Sequence, residues 1–364
     1  MTLLETLQTM RLPDLLTDRA GQRVHTRDHW RRRRRELLDV LAREEYGRTP
    51  PPVPTRGEVL ERTENAYAGK AAEWRARITL DTPGGAFSFP LYLALPYADA
   101  PRPLILLLNF RPDVPDRYYP TEEILDNGFA TAMLYYQDVS ADNADLSDGL
   151  AGRFGLEDRP ADGMGKLGVW AYAASRALDW LLTLPEVDAR HIAVAGHSRL
   201  GKTALWCAAQ DERIEICLDN DSGAGGQSLT RDKTGERVSD SVRVFPYWYC
   251  DNYKRYAGAE HAMPFDQHFL LAAIAPRLIS VGTASLDDWA DPQAALLCCI
   301  EADRAYRLLG VGGIAPPPRL PQPGAALRDG RIGFFLRQGA HYFSRDDWRQ
   351  HMAFWKRHME EDAL

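Results

Sequence analysis

The stretch HIAVAGHSRLGKTALWCAAQ, His191 to Gln210, decides the fold of this 364-residue chain. HIAVAG is an aliphatic strand, GHSRLGK a tight turn rich in small residues, and TALWCAAQ a helix former. A strand that turns sharply into a helix lifts the hydroxyl of Ser198 above the edge of a parallel sheet. Gly196 lets neighbouring backbone approach closely, and the helix start aims free N–H groups and a positive dipole at any oxyanion formed beside Ser198. The spacing is G-x-S-x-x-G rather than the common G-x-S-x-G. A serine that only caps the helix is the bland alternative, and the strand-turn-helix context argues against it.

Working outward, PLILLLNF (Pro103 to Phe110) and GFATAMLYY (Gly128 to Tyr136) are nearly continuous aliphatic runs, as expected of parallel strands covered on both faces. Between Leu167 and Leu184 apolar residues recur with helical period. Beyond Gln210 come a strand IEICLD, a strand RLISVGTA, a helix from Pro292 to Leu309, a strand RIGFFLR and a last helix from Ser344. This alternation predicts an α/β chain: a doubly wound, mostly parallel sheet with helices on both faces and right-handed crossovers. One domain spans 1–364, with 1–60 as an N-terminal helical extension whose main helix runs from Thr26 or Asp28 to about Glu45 and stops at Gly47 and Pro50 to Pro52. The segment WRARITLDTPGGAFSFPLYLALP reads as a β-hairpin turning at Pro83, Gly84 and Gly85. Two stretches break the rhythm: 137–165, rich in Asp and Gly, and the insert-like region 223–276, rich in aromatics. Long loops at the carboxyl ends of strands are where such sheets build sites.

A net charge of -7 sets aside nucleic acid and anionic membrane as partners. The basic run Arg31 to Arg35 sits among Trp30, Leu37, Leu38, Val40 and Leu41 at helical spacing and reads as a solvated helix face. No apolar run approaches membrane-spanning length, and MTLLETLQTMRLPDLL lacks the pattern of a secretory signal, so a cytoplasmic protein is expected. Five cysteines, Cys207, Cys217, Cys250 and the adjacent Cys298 and Cys299, suit neither a disulfide framework nor a metal knuckle and read as buried thiols.

A serine nucleophile needs a base oriented by an acid. His341, in RQGAHYFSRDDW, follows the last strand and precedes the last helix, the place of the base in the order Ser, acid, His of α/β-hydrolases. His351 and His358 fall inside the final helix, His261 and His268 before the acid strand, and His191 opens the nucleophile strand. The acid is Asp287, in GTASLDDWADP after the strand RLISVGTA, or Asp221, in DNDSGAGG after the preceding strand; strand order favours Asp287.

These residues resemble the glucuronoyl esterases of carbohydrate esterase family 15 and their bacterial relatives. The resemblance rests on the W-R-R-R-R-R helix, EYGRTP, G-x-S-R-x-G-K, PFDQHFLLAAIAPR, DDWADP and GAHYFSRDDW, and so covers most of the chain. It implies an α/β-hydrolase that cleaves carbohydrate esters, chiefly those of glucuronic acid, with no metal or cofactor. Ser198 matches the nucleophile, Arg199 a residue that helps hold the oxyanion, Lys202 a lysine that contacts sugar hydroxyls, and Trp289 a tryptophan placed to stack on the sugar. Many members place Glu before Ser-Gly where this chain has Asp221, which favours Asp287 as the acid. The sugar-binding Gln and Glu find no motif here, and Glu236 is the candidate for the latter. The expected chemistry is acyl transfer on a small carbohydrate or glucuronate ester; acetyl ester cleavage and a catalytically silent carbohydrate-binding protein are the competing readings.

Overall fold

The computed structural model describes residues 2–113, 116 and 119–362. Ten strands form one sheet: β1 (Thr55–Asn65), β2 (Ala71–Thr82), β3 (Gly85–Pro96), β4 (Arg102–Asn109), β5 (Ala130–Tyr135), β6 (Val187–His197), β7 (Ile216–Asn220), β8 (Leu278–Ala284), β9 (Ala326–Leu327) and β10 (Ile332–Arg337), in the order β1-β2-β3-β5-β4-β6-β7-β8-β10-β9. From β5 to β10 the pairing is parallel, and antiparallel strands extend both edges. Period-2 alternation divides the apolar runs between two cores. Leu104, Leu106 and Leu108 of β4 face one, while Ile105 and Leu107 face the other.

The first core is covered by α1 (Arg27–Leu41), α2 (Lys166–Leu181), α3 (Arg199–Gln210), α4 (His268–Ile274) and α5 (Pro292–Leu308), and Tyr46 stacks on Trp206 within it at 4.6 Å between ring centroids. The second is covered by α6 (Arg345–Asp362), whose Trp355 stacks on Phe129 at 5.0 Å. This is the expected α/β-hydrolase sheet with helices on both faces. All five cysteines are free and buried, and no helix of the described residues is long and apolar enough to cross a membrane.

The N-terminal segment departs from expectation in two ways. Its helix forms as read, with the Thr26 hydroxyl accepting from His29 N–H, and runs on from Leu41 into a π-helical turn, Ala42–Tyr46, that stops at Gly47 (φ +91°), where a Cβ would lie 2.3 Å from Met164 Cα. The end of the expected helical extension, however, is strand: β1 pairs with β2 along its length. Nearly every β1 residue is exposed, so no apolar face announces it, and an edge of alternating charge, with Glu58 3.6 Å from Arg77, discourages further strand addition. Second, the arginine run is not wholly solvated. Arg33 is buried and donates to the Leu15 and Asp14 carbonyls, and Arg34 donates to those of Ala273 and Ala209.

The insert-like stretch 223–276 is locally ordered, with a short helix at Val238–Val244, two tight turns and α4. It meets 137–165 where Tyr247 and Trp248 hydrogen-bond to Asp142.

Candidate active site

Ser198 stands between β6 and α3 at φ 56°, ψ -128°, a strained conformation for a residue with a side chain. Its N–H donates to the Asn220 carbonyl at 2.9 Å, tying the elbow to β7, and its hydroxyl caps nothing in the helix it precedes. The glycines make the turn fit. A Cβ on Gly196 would lie 2.1 Å from the Leu200 carbonyl, and one on Gly201 would lie 2.4 Å from Asp219 Oδ1. The unusual G-x-S-x-x-G spacing thus has a cause: the second glycine is where α3 presses on β7.

His341 follows β10 and presents a part-exposed ring whose Nδ1 donates to Asp287 Oδ2 at 2.6 Å. Burial alone would raise the Asp287 carboxyl, but its hydrogen bond and attraction to His341, with help from the Ala290 N–H, hold it below the usual carboxylate range. Asp221 lies in the same group, since one ligand atom from each of Asp221, Asp287 and His341 falls within 4.8 Å of the others. Its side chain is fully buried, and burial together with the neighbouring Asp287 charge pushes its carboxyl well above the usual range. Of the two candidate acids, Asp287 makes the hydrogen bond to the imidazole.

Sequence reasoning passed over His197, the residue before the nucleophile. Its ring lies 4.4 Å from that of His341, and its Nδ1 donates to Asn220 Oδ1 at 2.7 Å. Burial, then the proximity of His341, lower it to about 3, so it stays neutral against its neighbour. The available signal was positional: His197 immediately precedes Ser198 in the turn. An apolar cavity of about 260 Å³ opens next to both rings, lined in part by Leu107, Phe110, Tyr119, Tyr342 and Phe343.

Arg199 forms an ion pair with Asp142, and its guanidinium carbon lies 4.5 Å from the Trp248 ring centroid and 5.0 Å from that of Phe245. Lys202 and Glu236, both expected to meet sugar hydroxyls, meet each other. The nearly buried Lys202 Nζ donates to the Ser222 carbonyl at 2.6 Å, the Ala224 carbonyl at 2.5 Å and Glu236 Oε2 at 3.1 Å. Trp289 projects from the turn that carries Asp287, with 54% of its surface exposed. Among the described residues the only group of three or more side chains that could hold a metal is Asp221, Asp287 and His341. Within this group Asp287 is engaged on His341 Nδ1, and burial drives Asp221 toward its protonated form.

The arrangement is a serine on a strained turn, a histidine hydrogen-bonded to a carboxylate, and an arginine one residue beyond the serine at a helix N-terminus, a set of groups that suits acyl transfer. A model of the family "Glucuronyl esterase, fungi" matches residues 78–310. Carbohydrate esterase MZ0003, from an unknown prokaryotic organism, is 30% identical over 97% of this chain and 90% of its own length. The 4-O-methyl-glucuronoyl methylesterase of Hypocrea jecorina (strain QM6a) is 28% identical over 83% of this chain, which spans 63% of that relative. A solved glucuronoyl esterase from Solibacter usitatus superposes with a TM-score of 0.87 at 33% identity, covering 95% of this chain and 97% of the other. The chain therefore belongs to the glucuronyl esterase family and is a serine carboxylic ester hydrolase acting on carbohydrate esters, built on the α/β-hydrolase fold.

Proposed function

We propose that the chain cleaves esters whose acyl part is a glucuronate-type carboxyl. His341 takes the proton of Ser198 Oγ, the oxygen attacks the ester carbonyl, and Arg199 with the first N–H groups of α3 holds the oxyanion. His341 then returns the proton to the departing alcohol, and water, activated by the same base, releases the acid. The observation that carries this reading is Arg199, an arginine fixed one residue beyond the nucleophile. With Nη1 engaged by Asp142, its remaining N–H groups can serve the developing oxyanion or a uronate oxygen. The exposed Trp289 supports a sugar ring stacked beside Asp287.

The alcohol must leave on the side of His341, which protonates it, and the apolar cavity there suits a hydrophobic alcohol. The name of the Hypocrea relative supports the glucuronate assignment.

The test is hydrolysis of benzyl glucuronate beside 4-nitrophenyl acetate, with wild type and Ser198→Ala in parallel. Cleavage of the glucuronate ester that falls by about 10³-fold or more in Ser198→Ala supports the proposal. Cleavage of acetate alone overturns it in favour of an acetyl esterase, and turnover of neither favours a silent carbohydrate-binding protein.

A further inference from the structure

We propose that Asp142 is a positioning residue for this reaction, acting through Arg199. Donors from two segments distant in sequence, one at Arg199 and one at Tyr247 and Trp248, and from the nearby Tyr136 converge on its carboxylate. Oδ2 accepts from Arg199 Nη1 at the start of α3 and from the Tyr136 hydroxyl at 3.0 Å, while Oδ1 accepts from Trp248 Nε1 at 2.8 Å and from the Tyr247 hydroxyl at 3.2 Å. Only 8% of the Asp142 side chain is exposed, and three donors converge on its carboxylate, with the Tyr247 hydroxyl shared between Oδ1 and the Asp142 carbonyl at 3.0 Å, so the charge is compensated where it sits. The cation it pairs with also rests against the Trp248 and Phe245 rings, which come from the same segment as two of those donors.

The mount is rigid as well as polar. Asp148 accepts from Ala141 N–H at 2.7 Å and from Ser140 Oγ at 2.9 Å, and the fully buried Lys166 ammonium ties Asp148 to the Ser140 hydroxyl. Trp170 Nε1 donates to the Ser140 carbonyl at 2.9 Å. Asp142 therefore hangs from a short loop anchored on both sides to α2, and it presents a fixed anion to a long and otherwise rotatable side chain.

One edge of the guanidinium is spent on Asp142, while Arg199 Nε is buried with no partner among the described residues. An arginine on an oxyanion contributes to rate only if its pose is set before the charge develops. Asp142 sets that pose without itself touching the reacting atoms. Tyr136 and Tyr247 serve as donors to it throughout the working range, because burial, and then the Asp142 charge, raise both phenols, Tyr247 to about 12.

The inference rests on the ester-hydrolase reading but not on the identity of the acyl group, so 4-nitrophenyl acetate serves as the assay, with Ser198→Ala as the blank. Asp142→Asn keeps the shape and removes the charge; kcat should fall about 10- to 100-fold with KM changed much less. In an Arg199→Ala background the same substitution should change kcat by less than about 2-fold, because the residue through which it acts is gone. Equal losses in both backgrounds, or no loss in the wild-type background, would overturn the proposal. Should Asp142→Asn fail to fold, Tyr136→Phe removes one donor from Oδ2 and should lower kcat by about 2- to 5-fold in the wild-type background alone. An unchanged kcat there would overturn it equally. Absence of any Ser198-dependent turnover would instead sink the hydrolase reading beneath it.

Discussion

Asp287 Oδ2 lies 2.6 Å from His341 Nδ1, and the same carboxylate accepts from Ala290 N–H through its other oxygen at 3.2 Å, so both of its acceptors are committed. Asp221, although close by, is forced toward its protonated form by burial and by the Asp287 charge. The two acids should respond oppositely to an isosteric change. Asp287→Asn loses the group that fixes the imidazole tautomer and should lower kcat by about 10³- to 10⁴-fold. Asp221→Asn leaves the Asp287–His341 hydrogen bond in place and should stay within about 5-fold of wild type. Steady-state kinetics of both variants decide the matter, and the reverse ranking would transfer the role to Asp221.

Gly201 tests the elbow independently of any titrating group. A methyl there would overlap Asp219 Oδ1 and lie 2.9 Å from Ser222 Cβ, both on or just after β7. Gly201→Ala should therefore push α3 off the sheet, at a cost of about 1–3 kcal/mol in a denaturant titration. Because Ser198 and Arg199 ride on that helix, kcat should drop as well. Unchanged stability together with unchanged kcat would show that the spacing has some other cause.

The strands around the elbow were legible because parallel strands buried on both faces leave aliphatic runs that little else produces, as in Leu104 to Leu108 and Ile192 to Ala195. The meeting of His341 with Asp287 was legible from chain order alone. β1 was not, because an exposed edge strand of alternating charge buries too little to leave a pattern. Arg33 and Arg34 looked like surface because their acceptors are carbonyls far away in sequence, and carbonyls have no signature. The pairing of Lys202 with Glu236 and of Arg199 with Asp142 shares that difficulty. Each needs the fold before the partner can be named, and Asp142 sits in a segment with several other aspartates.

Trp289 offers a test of sugar recognition that spares the fold. Its backbone carbonyl accepts from Glu236 N–H at 2.9 Å and from Lys233 Nζ at 3.1 Å, while its ring stands largely in solvent. Trp289→Ala should shift stability by less than about 0.5 kcal/mol. It should raise KM for benzyl glucuronate about 2- to 10-fold through loss of stacking, and leave 4-nitrophenyl acetate kinetics unaltered. Equal effects on the two esters would count against a stacking role.

Away from the site, Glu45 makes the fold sensitive to alkali. It is fully buried beside Tyr46, and both of its carboxyl oxygens accept from Gln267 Nε2, at 2.9 and 3.1 Å. Burial, with the charge of Asp266 adding to it, raises the carboxyl from 4.5 to about 8. The unfolded chain releases this proton near 4.5, the folded chain only near 8. The contribution is therefore full below about 4.5, declines as the pH rises, and is lost as it passes through about 8. Buried Asp219, also raised to about 8, acts in the same direction. Denaturant midpoints should accordingly fall between pH 7 and 8.5, above the range in which the buried neutral histidines act in the opposite direction. Glu45→Gln, which keeps an acceptor for Gln267 but cannot titrate, should recover about 1–3 kcal/mol of that loss at pH 8.5 and leave the share due to Asp219. Parallel pH profiles for the two proteins would mean that Glu45 folds without its proton.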